Sequence, residues 1–181
     1  YDAANRLTEV TSPDGTSTFT YDATHQLTAA DHDYQTDENY TYDANGNRTN
    51  SGYTTGPNNR VLSDGTYSYE YDGEGNRTKR TNLSTLETVD YTWDDRNRLT
   101  RVVIVDPATS TAKIVEYAYD PFDRRILKKV DNNADGTFDA VERYVYDGEN
   151  VVLVLDGAGS LTNRYLHRPD LIDQVFADEN A

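Results

Sequence analysis

Cysteine and methionine are both absent from this 181-residue chain, and histidine occurs only three times. Without cysteine no disulfide can stabilise the fold, which leaves the redox compartment open. The missing Met, even at the first position, is expected of a piece of a longer polypeptide. Aliphatic side chains are scarce as well: only 35% of residues are hydrophobic, and 15 residues are tyrosine. The longest plainly apolar run, at 151–155, is far too short to span a membrane, and no signal peptide is visible. Basic residues are outnumbered, 17 Lys and Arg against 32 Asp and Glu, for a formal charge of −15. A phosphate backbone needs a basic footprint, so nucleic acid is excluded as a partner. Acidic loops suit hard cations such as Ca²⁺ instead. There is no Ser-His-Asp spacing, no Gly-rich phosphate loop and no His-Glu-x-x-His, so the chain is not expected to be an enzyme. Abundant carboxylates without a convergent pocket do not make a glycosidase, which leaves a carbohydrate-active enzyme only as a remote alternative.

What the chain does contain is repetition. In Tyr40-Thr41-Tyr42-Asp43-Ala44-Asn45-Gly46-Asn47-Arg48-Thr49 two tyrosines alternate on one strand face, a tight turn follows, and a strand leaves. Asn45-Gly46 predicts a type I′ hairpin turn, and Asp43 is placed to bond its own backbone two residues on. Seven copies align without gaps. They open at Tyr1-Asp2, Tyr21-Asp22, Tyr42-Asp43, Tyr71-Asp72, Trp93-Asp94, Tyr119-Asp120 and Tyr146-Asp147. Their fifth residues are Asn5, His25, Gly46, Gly75, Asn97, Asp123 and Asn150, all types that tolerate a left-handed backbone. One turn geometry used seven times is therefore expected. Another aromatic stands two positions before six of the openings, and the eighth position is often Thr. Spacings of about 20 to 30 residues indicate stacked units and suit a hairpin plus a return strand.

The pattern resembles the YD-repeat (RHS-repeat) family, whose hallmark is Tyr-Asp followed by Gly-Asn-Arg-Leu/Thr. The units opening at Tyr42 and Tyr71 match it almost letter for letter, with Gly46 and Gly75 at the glycine position. The resemblance implies an all-β array of hairpins in a long, twisted, spiralling antiparallel sheet, a segment of a hollow shell as in Tc toxins, bacterial RHS proteins and teneurins. It further implies a secreted or surface-attached bacterial parent polypeptide whose shell encloses a toxin or mediates cell contact. Residues 1–164 form the array on this reading. Residues 165–181 begin a segment similar to the family's C-terminal core, although His167, Arg168 and Asp170 depart from its Tyr-Leu-Tyr-Gly-Pro-Gly. No self-cleaving aspartate motif is present, so no protease activity carries over.

Aliphatic runs in the second half, at 102–105, 114–115, 126–127 and 151–155, predict strands, the first and last covered on both faces. Stability is expected to concentrate there. The three alternating tyrosines of Tyr67-Ser68-Tyr69-Glu70-Tyr71 are expected to form a structural ladder, with a glycan- or receptor-binding platform as the alternative. Arg48 and Arg77 are placed to stack on such rings and to pair with repeat aspartates. Asp31-His32-Asp33 lacks a metal partner at recognisable spacing. The Asn-x-Ser/Thr triplets at Asn39, Asn47, Asn76 and Asn82 are by-products of the repeat vocabulary.

One stretch carries distinct chemistry. Residues 131–142, DNNADGTFDAVE, satisfy the twelve-residue calcium-loop pattern. Asp131, Asn133 and Asp135 offer side-chain oxygens, and Gly136 makes the sharp turn. Thr137 gives its carbonyl, Asp139 binds directly or through water, and Glu142 closes the set. The flanks look like strands rather than helices, so the expected role is ordering a loop with Ca²⁺, set against a plain polar hairpin tip.

Overall fold

The computed structural model describes residues 1–167 and 175–180 and consists of antiparallel strands joined by short turns. Among these residues no helix is long and apolar enough to cross a membrane. The chain divides into two compact units, Tyr1–Thr66 and Tyr67–Ala181.

In the first unit, β1 (Glu9–Ser12), β2 (Gly15–Tyr21), β3 (Leu27–His32) and β4 (Glu38–Asn39) form one sheet in chain order. Ser12-Pro13-Asp14-Gly15 closes its first hairpin, with Ser12 opposite Gly15. A bridge between Tyr42 and Arg48 follows. Then β5 (Tyr53–Thr55) pairs with β6 (Val61–Asp64) around a 3₁₀ turn at Pro57–Asn59. Only Ser17 and Ala30 are buried among the described residues of this unit. Backbone pairing, not an apolar core, holds it together.

The second unit runs through β7 (Tyr67–Tyr71), β8 (Arg77–Asn82), β9 (Thr88–Trp93), β10 (Leu99–Asp106) and β11 (Thr111–Tyr119). It continues through β12 (Arg125–Asp131), β13 (Ala140–Asp147), β14 (Asn150–Leu155), β15 (Leu161–His167) and β16 (Val175–Asn180). Each strand pairs antiparallel with its neighbours in the chain, giving an open sheet. Val89, Val102 and Val115 form its core, with Tyr91, Leu99, Ile104, Tyr117 and Val130 packed against them. The register puts Val102 opposite both Tyr91 and Val115, so these residues share one face.

Strand β10 is not covered on both faces, contrary to the reading of its apolar run. Val103 and Val105 alternate with Val102 and Ile104, and Val105 stays exposed. Their side of the sheet carries charges instead, with Arg101 and Lys129 each 3.8 Å from Glu116. In β14, Val154 is buried and its neighbours are half-buried. Strand β15 runs without a break across the boundary expected at residue 165, and residues 168–174 of the core-like tail lie outside the described residues.

The repeat turn differs from the expected two-residue form. Gly46 has φ 84°, but Asn45 is not at positive φ, so a type I′ turn is ruled out. The Gly46 N–H donates to the Asp43 carbonyl at 3.1 Å and the Asp43 N–H to the Asn47 carbonyl at 2.9 Å. This is a three-residue loop, a type I turn followed by one left-handed residue. The fifth residue of the unit supplies that conformation at Asn5, His25, Gly46, Gly75, Asn97 and Asp123. The seventh unit is the exception. Asp147 pairs directly with Asn150, and Gly148 takes the positive φ of 58° in a shorter connection.

Candidate functional site

The aspartate of each of the first six repeats acts as a cap. In Asp2, Asp22, Asp43, Asp94 and Asp120, Oδ1 accepts the N–H groups two and four residues on, all at 2.8–3.0 Å. Asp72 accepts the Asn76 N–H at 2.8 Å. Two turn amides that no strand can pair are thereby satisfied from one side chain. These bonds favour the ionised carboxylate and hold it below its usual range. The Arg98 side chain is the largest influence at Asp94, which falls to about 2. At Asp72 and Asp120 burial pulls upward, and the hydrogen bonds outweigh it.

The sixth residue reads the other carboxylate oxygen. Arg6, Arg98 and Arg124 donate Nε to Oδ2 of Asp2, Asp94 and Asp120 at 2.7–2.8 Å. Their guanidinium groups then reach the next turn: Arg6 meets the Asp22 carbonyl and Arg98 the Asp120 carbonyl, both at 3.1 Å, and Arg124 meets the Gly148 carbonyl. In Asn47 and Asn76 a shorter amide makes the same bond to Asp43 and Asp72 at 3.0 Å. Aspartates therefore pair with position six, and not with Arg48 and Arg77 at position seven.

In five repeats the opening aromatic locks the unit to the one before it. Tyr21, Tyr42, Tyr119 and Tyr146 donate O–H at 2.8 Å to the carbonyls of Leu7, Leu27, Leu99 and Arg125, and Trp93 donates Nε1–H to Arg77 at 2.9 Å. Every acceptor is the seventh residue of the preceding unit. The register skips the eighth residue in units 21, 71, 93 and 119, leaving a bulge beside that carbonyl. A ring with a polar tip is the side chain that fills the gap and supplies the donor. Tyr71 pairs with Arg77 across the same kind of bulge.

Position seven also builds a stripe across β7 to β13. Arg77 lies over Tyr69 and Tyr91 at 5.4 and 5.1 Å, and Arg125 over Tyr117 and Tyr144 at 5.4 and 5.2 Å. Leu99 occupies the equivalent place near Tyr91 and Tyr117. In the first unit Arg48 sits 4.1 Å over Tyr40. The Tyr67 to Tyr71 ladder is likewise covered, with Arg80 4.5 Å over Tyr67. Such stacking contributes about 0.5–1 kcal/mol per pair at exposed sites.

The 131–142 loop lies between β12 and β13. Asp131 is fully buried, and its carboxylate accepts the N–H groups of Asn133 at 3.2 Å and Gly136 at 2.9 Å. Asp135 accepts from Thr137 N–H at 2.8 Å and from the Asn133 amide at 2.9 Å, and the Asn133 bond is the main cause of its lowered pKa. Asp139 accepts the Asn132 N–H at 2.7 Å. Glu142 is drawn elsewhere: Lys128 holds it at 3.1 Å and the Tyr144 hydroxyl donates to it. The Tyr144 bond is the main cause holding the Glu142 carboxyl low, while burial and that same bond raise the Tyr144 hydroxyl. Gly136 has φ 90°, as a sharp turn requires. The carboxylates thus serve the loop's own backbone, and among the described residues no three His, Cys, Asp or Glu side chains are grouped to hold a metal.

His32 bonds through Nδ1 to the Ser17 hydroxyl at 2.8 Å, and Ser17 also meets the Tyr34 hydroxyl at 2.9 Å. The other ring nitrogen is buried without a partner, so no carboxylate orients this imidazole as a nucleophile's base requires. Asp33 and Asp37 accept backbone N–H groups instead.

Residues 1–37 match the model of the family described as RHS Repeat. The family match is thus confined to the first two of the seven repeats. It is also similar to the solved structure titled "Crystal Structure of TcdB2-TccC3-TEV", with a TM-score of 0.53 and 16% identity over 87% of this chain. That likeness extends the shared all-β fold well beyond the matched residues. The chain spans only 9% of the solved chain's length.

The array contains a turn that the Tyr-Asp pattern does not mark. Asp156 accepts Ala158 N–H at 2.9 Å and Ser160 N–H at 2.8 Å, and Gly159 has φ 88°. Leu155 pairs with Leu161, and the register skips Thr162, whose hydroxyl donates to the Val154 carbonyl as Thr100 does to Thr92. A repeat therefore opens at Leu155 with a leucine where the aromatic usually stands. Asp156, Gly159, Leu161 and Thr162 at their proper offsets were the available signal. The amides of Asn47 and Asn76, two of the Asn-x-Thr sites, are occupied in the repeat's own bonds.

Proposed function

We propose that this chain is a wall segment of a larger, secreted or surface-attached bacterial RHS-repeat protein, whose shell encloses a toxin domain or presents a face for cell contact. The observation that carries this reading is the series of aromatic clamps. Five units are fastened to the preceding one through the hydrogen bond of their opening aromatic, and polar groups are consumed within the sheet instead of converging in a catalytic cleft. In the parent polypeptide, a protease should spare the enclosed segment and cut it once Tyr119→Phe and Tyr146→Phe loosen the wall. Equal cleavage in both forms would refute enclosure. A glycan platform at Tyr67–Tyr71 is the alternative. Arg80 and Arg77 count against it, because they lie over the ring faces of Tyr67 and Tyr69 that a sugar would use. A saturable Tyr or Trp fluorescence change on a glycan panel would favour it.

A second role, calcium-dependent ordering of the 131–142 loop, rests on the spacing of Asp131, Asn133, Asp135 and Asp139 and on the turn at Gly136. Glu142 is left out of this ligand set because Lys128 and Tyr144 hold it. Excess calcium should raise Tm relative to a chelator, by mass action on the folded state, and Asp135→Asn should remove the rise. Equal Tm in calcium and chelator would refute this role.

A further inference from the structure

We propose that the cleft at Gln26 binds the guanidinium group of an arginine presented by a partner polypeptide. The chain itself supplies the template. Arg6 and Arg98, at position six of their repeats, each bond a cap aspartate through Oδ2 and the carbonyl of the next cap aspartate, and lie 4.8 and 5.0 Å over Tyr21 and Tyr119. The side chain at position five of the following repeat contributes as well, His25 at 3.2 Å from Arg6 and Asp123 at 2.8 Å from Arg98. A guanidinium between two turns is thus surrounded by a carboxylate, a carbonyl and a ring face, a set that matches its charge and planar fork.

In the repeat opening at Tyr21 the arginine is replaced by Gln26, and position five of the next repeat is Gly46. The position-five side chain is gone and the arginine is replaced by a shorter, uncharged amide, whose nitrogen lies 2.9 Å from where a Gly46 Cβ would sit; a cleft of about 650 Å³ opens, lined by Asp22, Gln26, Tyr42, Asp43 and Gly46 among others. Its recognition groups remain in place. Asp22 spends Oδ1 on Thr24 and Gln26, and among the described residues Oδ2 has no hydrogen-bond partner. The Asp43 carbonyl accepts the Gly46 N–H and keeps a second lone pair, as the Asp22 carbonyl does for Arg6. Arg48 stacks on Tyr40 and Tyr53, and among the described residues no cation covers Tyr42. The Asn76 cleft differs, because its amide bonds both Asp72 Oδ2 and Asn97. A net charge of −15 adds a general attraction for cationic partners.

The test is an NMR titration of the ¹⁵N-labelled chain with N-acetyl-arginine amide, N-acetyl-lysine amide and free arginine. The blocked arginine should give saturable shifts at the amides of residues 22–26 and 42–46, with lysine about tenfold weaker for want of the fork. Gln26→Arg should fill the cleft from within, abolish the shifts and raise Tm. Asp22→Asn should weaken binding about tenfold or more, the value of a charged hydrogen bond. Equal response to lysine, no saturation, or undiminished binding to Gln26→Arg would overturn the site. Binding of free arginine alone would overturn the polypeptide partner. These outcomes are separate from the wall role, which the protease experiment tests.

Discussion

Removing a single hydroxyl at Tyr119 tests whether the aromatic clamp holds neighbouring repeats together. Tyr119→Phe keeps the ring beneath Arg98 and removes only the bond to the Leu99 carbonyl at 2.8 Å. A neutral hydrogen bond contributes about 0.5–1.5 kcal/mol net, and an acceptor left unsatisfied beside a bulge costs about 1–3 kcal/mol. The Tyr119 hydroxyl is partly buried, and burial is the main cause raising its pKa. The expected loss is about 1–2 kcal/mol. Urea unfolding followed by Tyr and Trp fluorescence measures it, with an unchanged m-value showing that the unfolded state is unaltered. Tyr117→Phe is the control, since that ring packs on the core and under Arg125 without serving as a clamp. Tyr119→Phe and Tyr146→Phe act on different carbonyls and should add within about 0.5 kcal/mol. If Tyr119→Phe lies within about 0.3 kcal/mol of the parent, or Tyr117→Phe costs as much, the clamp is not what joins the repeats.

Three further outcomes follow from the same geometry. Asp2, Asp22, Asp43, Asp72, Asp94 and Asp120 have folded pKa values below the unfolded value of about 3.9, so their contribution is complete above that pH. Stability should fall as pH drops from about 5, with the Asp94 share lost down to about 2, and an acid titration of Tm that is flat below pH 4 would contradict this. Arg77→Leu should stay within about 1 kcal/mol of the parent in chemical denaturation, because Leu99 fills the equivalent layer, whereas Arg77→Ala should lose two ring contacts worth about 0.5–1 kcal/mol each. Asp156→Ala should cost about 1–2 kcal/mol by leaving two turn amides without their acceptor, and should speed hydrogen exchange at Ala158 and Ser160. Unchanged exchange there would mean that Asp156 is not a cap.

By itself the sequence established the periodicity and the all-β class, because Tyr-Asp and a left-handed fifth residue recur at fixed offsets and those choices are local. It marked Asp22, Asp43, Asp72, Asp94 and Asp120 as turn formers, since an aspartate bonding its own backbone needs no distant partner. What it could not hold was anything that depends on which strand lies alongside. The acceptors of Tyr21, Tyr42, Tyr119 and Tyr146 lie 14 to 21 residues away, and those at Leu27, Leu99 and Arg125 sit beside a bulge that only strand pairing produces. The pairing of Arg98 with Asp94 instead of a position-seven arginine, the departure at Asp147 and the leucine-led repeat at Leu155 are likewise matters of register. The apolar run of β10 read as a doubly covered strand, yet the sheet leaves Val105 exposed, because covering a face requires a second layer and local composition does not specify one. The spacing of residues 131–142 named a set of oxygen donors, and the tertiary structure drew Glu142 to Lys128 on the facing strand, since a cross-strand charge partner wins over loop spacing.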